Sequence, residues 1–214
     1  LSGADLSGAD LTASALSGSD LREADLSSAS LNRANLCDAD LRQAGLSRAQ
    51  AVNADFSRAN LSLADLSRAT MTGATLRNAA LYRACLRGAE LDGADLSGAD
   101  LREANMSQTE SSRTDLSYAD LTQANLRLAN LAHADLKFTR LFRAHLGGAD
   151  LHGADLQAAD LTGADLRGAD LTEAQLTTEQ AASAVIDETT FLPAGLKPAG
   201  QPTGSSSRSE IKTH

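Results

Sequence analysis

The side chains with which this 214-residue chain could do chemistry are four histidines, two cysteines and 28 acidic residues. Histidine and cysteine point first to a metal, which needs three or four ligands converging at short, characteristic spacings. His133, His145, His152 and His214 follow no such spacing, and the first three fall at different positions of a repeat set out below, so they are expected not to converge. Cys37 and Cys85 are 48 residues apart, with no second pair to complete a site or a disulfide framework. Paired carboxylates would suit general acid–base work, but that needs a pocket to desolvate one of them. No phosphate loop, dinucleotide fingerprint or nucleophile elbow is present. The expectation is no metal, no cofactor and no enzyme.

The aspartates are numerous because one position is copied. Written in fives from Leu1, the chain reads LSGAD LSGAD LTASA and keeps that register through LTEAQ at 171–175, which makes 35 pentads without an insertion. The first position is Leu in 30 of them, the exceptions being Ala51, Phe56, Met71, Met106 and Ser111. The fourth is Ala in 30, the fifth Asp or Asn in 22. Leucines five apart would scatter around an α-helix and alternate between the faces of a flat strand. The chain must therefore turn once per pentad, with Leu and Ala inside and three residues in water. Glycine at the third position of 11 pentads suits a turn residue with positive φ. Corners with Arg, Glu, Gln or Ser there are expected to use a different turn. Aromatic residues are 3% of the chain and Trp is absent, as a tube too narrow for rings would require.

Pentads such as Ala4-Asp5-Leu6-Ser7-Gly8 and Ala159-Asp160-Leu161-Thr162-Gly163 resemble the pentapeptide-repeat family. The resemblance covers residues 1–175 and implies an all-β solenoid, a right-handed quadrilateral parallel β-helix with four pentads per coil. About nine coils at ~4.8 Å make a rod roughly 42 Å long. Past a repeat body of 1–176, Thr177-Thr178-Glu179-Gln180 reads as a capping box opening a helix over 178–185. With Ile186, Phe191, Leu192 and Leu196 it forms a cap, 177–196, over the end of the tube; residues 197–214 read as a disordered tail. The resemblance also implies a C-terminal end able to serve as a homodimer contact. Leu1 begins in register without a cap, which fits a processed or truncated start. No signal peptide or membrane span is legible, so cytoplasm is the default compartment.

With a uniform interior, function is expected on the outside. Twenty residues apart, Asp95, Asp115, Asp135 and Asp155 form one acidic column. Lys137-Phe138-Thr139-Arg140-Leu141-Phe142-Arg143 is the one basic, aromatic stretch. Because Thr139 and Leu141 keep the inward register, Phe138 and Phe142 must face out, with Tyr118 one coil below Phe138. Exposed rings rimmed by Lys137, Arg140 and Arg143 are what a protein-binding centre uses. The third irregularity, Met106 to Thr114, reads as repeat decay with a cavity or buried water, the alternative being a bulged contact loop. These features favour a non-enzymatic protein-interaction scaffold. The family implies a second reading, a partial DNA mimic for a type II topoisomerase such as gyrase; a third is a spacer rod. A net charge of −9 argues against direct nucleic-acid binding. It also falls far short of the ~25 phosphates that duplex DNA carries over the same length, so any mimicry would be partial.

Overall fold

The computed structural model describes residues 1–196. From Leu1 to Gln175 each pentad has one conformation: a turn over the second and third residues, then a single parallel bridge at the fifth. Asp5 bridges Asp25, Asp25 bridges Gly45, and the step of twenty continues to Asp155 and Gln175. Four pentads therefore make one coil. Among the described residues the parallel pairing consists of isolated bridges; no run is long enough to form a continuous strand.

Backbone hydrogen bonds account for four of the five N–H groups in a pentad. Ala4 N–H donates to Leu1 C=O and closes the turn, 3.0 Å. Gly3 donates to Arg22 and Leu6 to Asp25 in the next coil, and Asp25 donates back to Ala4 (2.8, 2.7 and 2.9 Å). The N–H of the second residue is left over. The residue two places before it satisfies it: all 22 Asp and Asn residues at the fifth position accept that N–H through Oδ1. The repeat's Asp/Asn preference thus serves the turn, since these side chains bond the backbone two residues on more strongly than Ser or Thr.

All 35 corners are alike. The third residue has positive φ whether it is glycine, as at Gly98 (68°), or Arg68 (58°), Tyr118 (61°) or Phe138 (56°). The expectation of a second turn type for non-glycine corners is overturned. A left-handed conformation costs a side chain on the order of 1 kcal/mol, and the hydrogen bonds to both neighbouring coils over-determine it.

Leu and Ala of every pentad from Leu21 onward are buried, whereas Leu6, Leu11 and Leu16 of the first coil are only partly so. A narrow tube was expected to exclude rings, yet Phe56 is fully buried at a leucine position. Ala51, one pentad earlier in the same coil, returns the volume that Phe56 takes.

After the last pentad, α1 spans Thr178–Ser183 and opens with the capping box of Thr177 and Gln180. It ends two residues short of the expected 185, because Val185 is drawn into the bridge network opposite Asp165. Leu176, Ala184, Ile186 and Leu192 pack on the core. Phe191, expected to cover the tube, bridges Asp170 through its backbone and is itself 62% exposed. The expected tail, 197–214, lies outside the described residues.

Candidate functional site

The turn geometry decides where the outward residues point. Tyr118 and Phe138 both occupy third positions, one coil apart, and their matching positive φ aims both rings the same way. The rings stack with centroids 4.9 Å apart and planes 8° from parallel. They remain 66% and 50% exposed. Phe142 lies at the second position of the next pentad, around a corner, and is half-buried with the Arg143 guanidinium 5.0 Å over its face. Two rings form the exposed stack, and the third is separately covered.

The expected basic rim is mostly engaged. Lys137 Nζ lies 3.1 Å from Asp135 and 3.0 Å from Asp155, bridging two coils of the acidic column. Arg140 faces Asp120 at 3.5 Å. The column itself is real, with Asp95, Asp115, Asp135 and Asp155 bridged in series, but it is not a stripe of free charge. Each carboxylate accepts a turn N–H, Arg77 pairs with Asp95, and Lys137 serves two more.

Several of the surface carboxylates are more acidic than an ordinary aspartate. Burial pushes Asp95 up, but the Ser97 hydroxyl and amide and the Arg77 guanidinium outweigh it and leave the group more acidic than usual. Arg167 holds Asp165 down to about 2, chiefly by a side-chain hydrogen bond. Asp20, Asp40 and Asp100 are lowered in the same way by Arg22, Arg42 and Arg102. These shifts all favour the charged form, which suits turn acceptors rather than proton donors.

The histidines correct a further expectation. His133 and His152 meet edge to face, with centroids 5.3 Å apart. Adjacent pentad positions on neighbouring coils come close because the third residue of one turn leans towards the second residue of the next. His152 Nδ1 is 2.9 Å from Thr172 Oγ1, and its Nε2 is 3.7 Å from Glu173. No group of three or more metal-type ligands is assembled among the described residues. Cys37 and Cys85 are free thiols.

Residues 106–114 form no bulged loop; the bridges continue through Asn105, Glu110 and Asp115. Met106, Thr109, Ser111 and Thr114 are all buried. Thr109 Oγ1 donates to Met106 C=O and Thr114 Oγ1 to Leu91 C=O, both at 2.9 Å, while Ser111 Oγ is buried without a partner.

Sequence reasoning missed Tyr82, which lies in the column of Phe142 between the guanidiniums of Arg83 and Arg102, 5.1 and 5.7 Å from its ring. It also missed Leu63 and Leu128, exposed at third positions. The available signal was an apolar side chain where the register puts water.

A coil of twenty residues with Leu and Ala inside and an Asp or Asn acceptor at most corners defines a repeat protein whose variable surface is its exterior. The family model for pentapeptide repeats matches in eight copies, over residues 4–43, 19–58, 52–88, 79–110, 112–148 and 149–177. The chain belongs to the pentapeptide-repeat family. Among solved structures it is similar to HetL, a pentapeptide-repeat protein involved in heterocyst differentiation regulation from the cyanobacterium Nostoc sp. strain PCC 7120. Identity is 37%, covering 88% of this chain and 87% of that one, with a TM-score of 0.55. A trypsin-treated form of QnrB1, a plasmid-mediated fluoroquinolone resistance protein, matches at 17% identity over 84% of this chain and 87% of its own, TM-score 0.42. The Rfr23 protein of the cyanobacterium Cyanothece 51142 matches at 31% identity over 50% of this chain and 63% of its own, TM-score 0.20. No curated protein sequence matches. No helix among the described residues is long and apolar enough to cross a membrane.

Proposed function

We propose that this chain is a non-enzymatic binding module, a right-handed quadrilateral β-helix closed at its C-terminal end by residues 177–196, that presents its sides to a protein partner. The observation that supports this reading furthest is the Tyr118–Phe138 stack. Both rings stand in water at positive φ, where glycine would be cheaper, and Gly98 holds that place one coil below Tyr118. Folding gives no reason for them. The contact surface comprises Tyr118 and Phe138 at its centre, Phe142 and Arg143 around the corner, and Lys137, Arg140 and the column Asp95, Asp115, Asp135 and Asp155 alongside. An apolar centre flanked by both signs of charge orients a partner. HetL's description as a protein of differentiation regulation favours a regulatory role over a metabolic one.

Imitation of DNA for a topoisomerase would depend on the acidic column, and Arg77 and Lys137 offset that column from within the rod. The protein-binding reading is therefore preferred. Changing Tyr118, Phe138 and Phe142 together to Ser should leave folding intact and reduce retention of specific partners. A supercoiling assay with gyrase and a quinolone separates the two readings: protection that persists in the ring variant but is lost when the four aspartates become Asn would favour the DNA-mimic reading.

A further inference from the structure

A second surface, away from the aromatic stack, has the chemistry of an anion site. Eight of the 15 arginines among the described residues are matched: Arg22, Arg42, Arg58, Arg77, Arg83, Arg102, Arg140 and Arg167 each lie within 4.0 Å of a carboxylate oxygen. Arg48, Arg68 and Arg87 do not, and neither do Arg33, Arg113, Arg127 and Arg143, but Arg48, Arg68 and Arg87 are gathered in one place. They follow one another on three successive coils and line one surface groove of about 360 Å³ together with Ser47, Ser67 and Gln108. Like charges stacked one coil apart repel, and a chain of net charge −9 has carboxylates enough to offset them elsewhere. Neither the core nor the turn asks for arginine here. In the column of Arg48 and Arg68 the third position is glycine at Gly8, Gly88, Gly148 and Gly168. Gly88 sits directly above Arg68 and adds no side chain to the groove at that end.

The backbone adds donors to the same groove. Asp or Asn at the fifth position caps 22 of the second-position N–H groups, and several of the others, those of Thr72, Tyr82 and Phe142 among them, meet no protein acceptor among the described residues. In this groove two of the three turns lack the cap, because Gly45 precedes Ser47 and Cys85 precedes Arg87. Neither the Ser47 nor the Arg87 N–H meets a protein acceptor among the described residues. The third turn is capped in the usual way, Ser67 N–H donating to Asp65 at 2.9 Å, which leaves Asp65 as the only carboxylate lining the groove. Arg87 Nε reaches Gln108 Oε1 at 3.3 Å. Three arginines and two residues with unclaimed backbone amides thus line one groove.

Guanidinium and amide donors together suit a phosphoryl group, which accepts bidentate bonds from arginine and single bonds from backbone N–H. One phosphoryl group can be shared by arginines on adjacent coils ~4.8 Å apart, but the third arginine is a further coil away. We infer that the groove lined by Arg48, Arg68 and Arg87 binds a small ligand carrying two adjacent phosphoryl groups.

Calorimetric titration of the full chain with pyrophosphate, and with orthophosphate at matched ionic strength, tests this. One site per chain is expected, with pyrophosphate bound at least tenfold tighter than orthophosphate and the Ser47 and Arg87 amide resonances moving first. Arg68→Gln combined with Arg87→Gln should weaken pyrophosphate binding at least tenfold, whereas Arg22→Gln combined with Arg42→Gln, which removes equal charge from paired sites, should not. Gly45→Asp restores the turn acceptor on a backbone free of positive φ, so it should keep the melting temperature while weakening pyrophosphate several-fold. Absence of binding, equal weakening by both arginine pairs, or an unchanged affinity in Gly45→Asp would overturn the inference. The melting temperature of each variant separates lost binding from lost fold.

Discussion

Two segments break the repeat, and they break it in opposite directions. In residues 106–114 the irregular side chains point inward: Met106, Thr109, Ser111 and Thr114 take core positions, and one hydroxyl is buried without a partner. In residues 137–143 one inward position departs, Thr139 with its hydroxyl donating to Leu116 C=O, and the larger departures, Phe138 and Phe142, point outward. The first kind of break can cost stability and gains the surface nothing. The second costs folding little and changes what a partner meets. Irregularity alone is therefore no guide to function in a repeat protein; the side on which it falls is.

The sharpest test of that division is a change at a regular inward site. Leu81→Asp puts an unpaired charge into a fully buried position and should cost several kcal/mol, or prevent folding, as read by chemical denaturation. A soluble variant with unchanged stability would mean the interior is not the apolar column described.

Ser111→Ala should act in the opposite sense. It removes a buried hydroxyl that has no hydrogen bond and should stabilise by about 1 kcal/mol. At ~2–4 °C per kcal/mol for a chain of this size, the melting temperature should rise by a few degrees. Thr114→Ala should not stabilise, since Thr114 Oγ1 already donates to Leu91 C=O.

At the corners, Asp115→Ala should cost about 1 kcal/mol by orphaning the Ser117 N–H, while Asp115→Asn, which keeps the acceptor, should be close to neutral. Equal effects would show that charge, not the turn bond, matters there.

Acid should act through the same carboxylates. Asp165 has its folded value lowered to about 2 from 3.8, so its contribution is fully present above pH 4 and is lost as pH falls towards 2. The other lowered aspartates, Asp40 and Asp100 among them, add in the same sense. Melting temperature followed from pH 7 to pH 2 should be flat and then fall below about 4.

Much of this was legible in the sequence because a period of five admits no straight element, so the inward Leu and Ala and the outward rings follow from register alone. The capping box at Thr177 and Gln180 was legible for the same local reason. The uniform corners were not, because single-residue propensity disfavours positive φ for Arg or Phe while stacking bonds from two neighbouring coils impose it. Buried Phe56 needed its volume partner Ala51 to be recognised. The partial offset of the column was hidden because Lys137 reaches sideways into it, and the meeting of His133 and His152 depends on the lean of one turn over another. The acceptor role of the fifth-position Asp and Asn could have been read from their tolerance of each other, since both carry the oxygen the turn needs.

The central claim is that the outward rings serve a partner and not the fold. It is tested most directly by measuring melting temperature and partner retention on the same preparation of Tyr118→Ser, Phe138→Ser, Phe142→Ser. The account predicts a melting temperature within about 2 °C of the parent, equivalent to roughly 0.5 kcal/mol, together with loss of partners that a Tyr82→Ser variant still retains. A variant that melts well below the parent yet keeps every partner would contradict it.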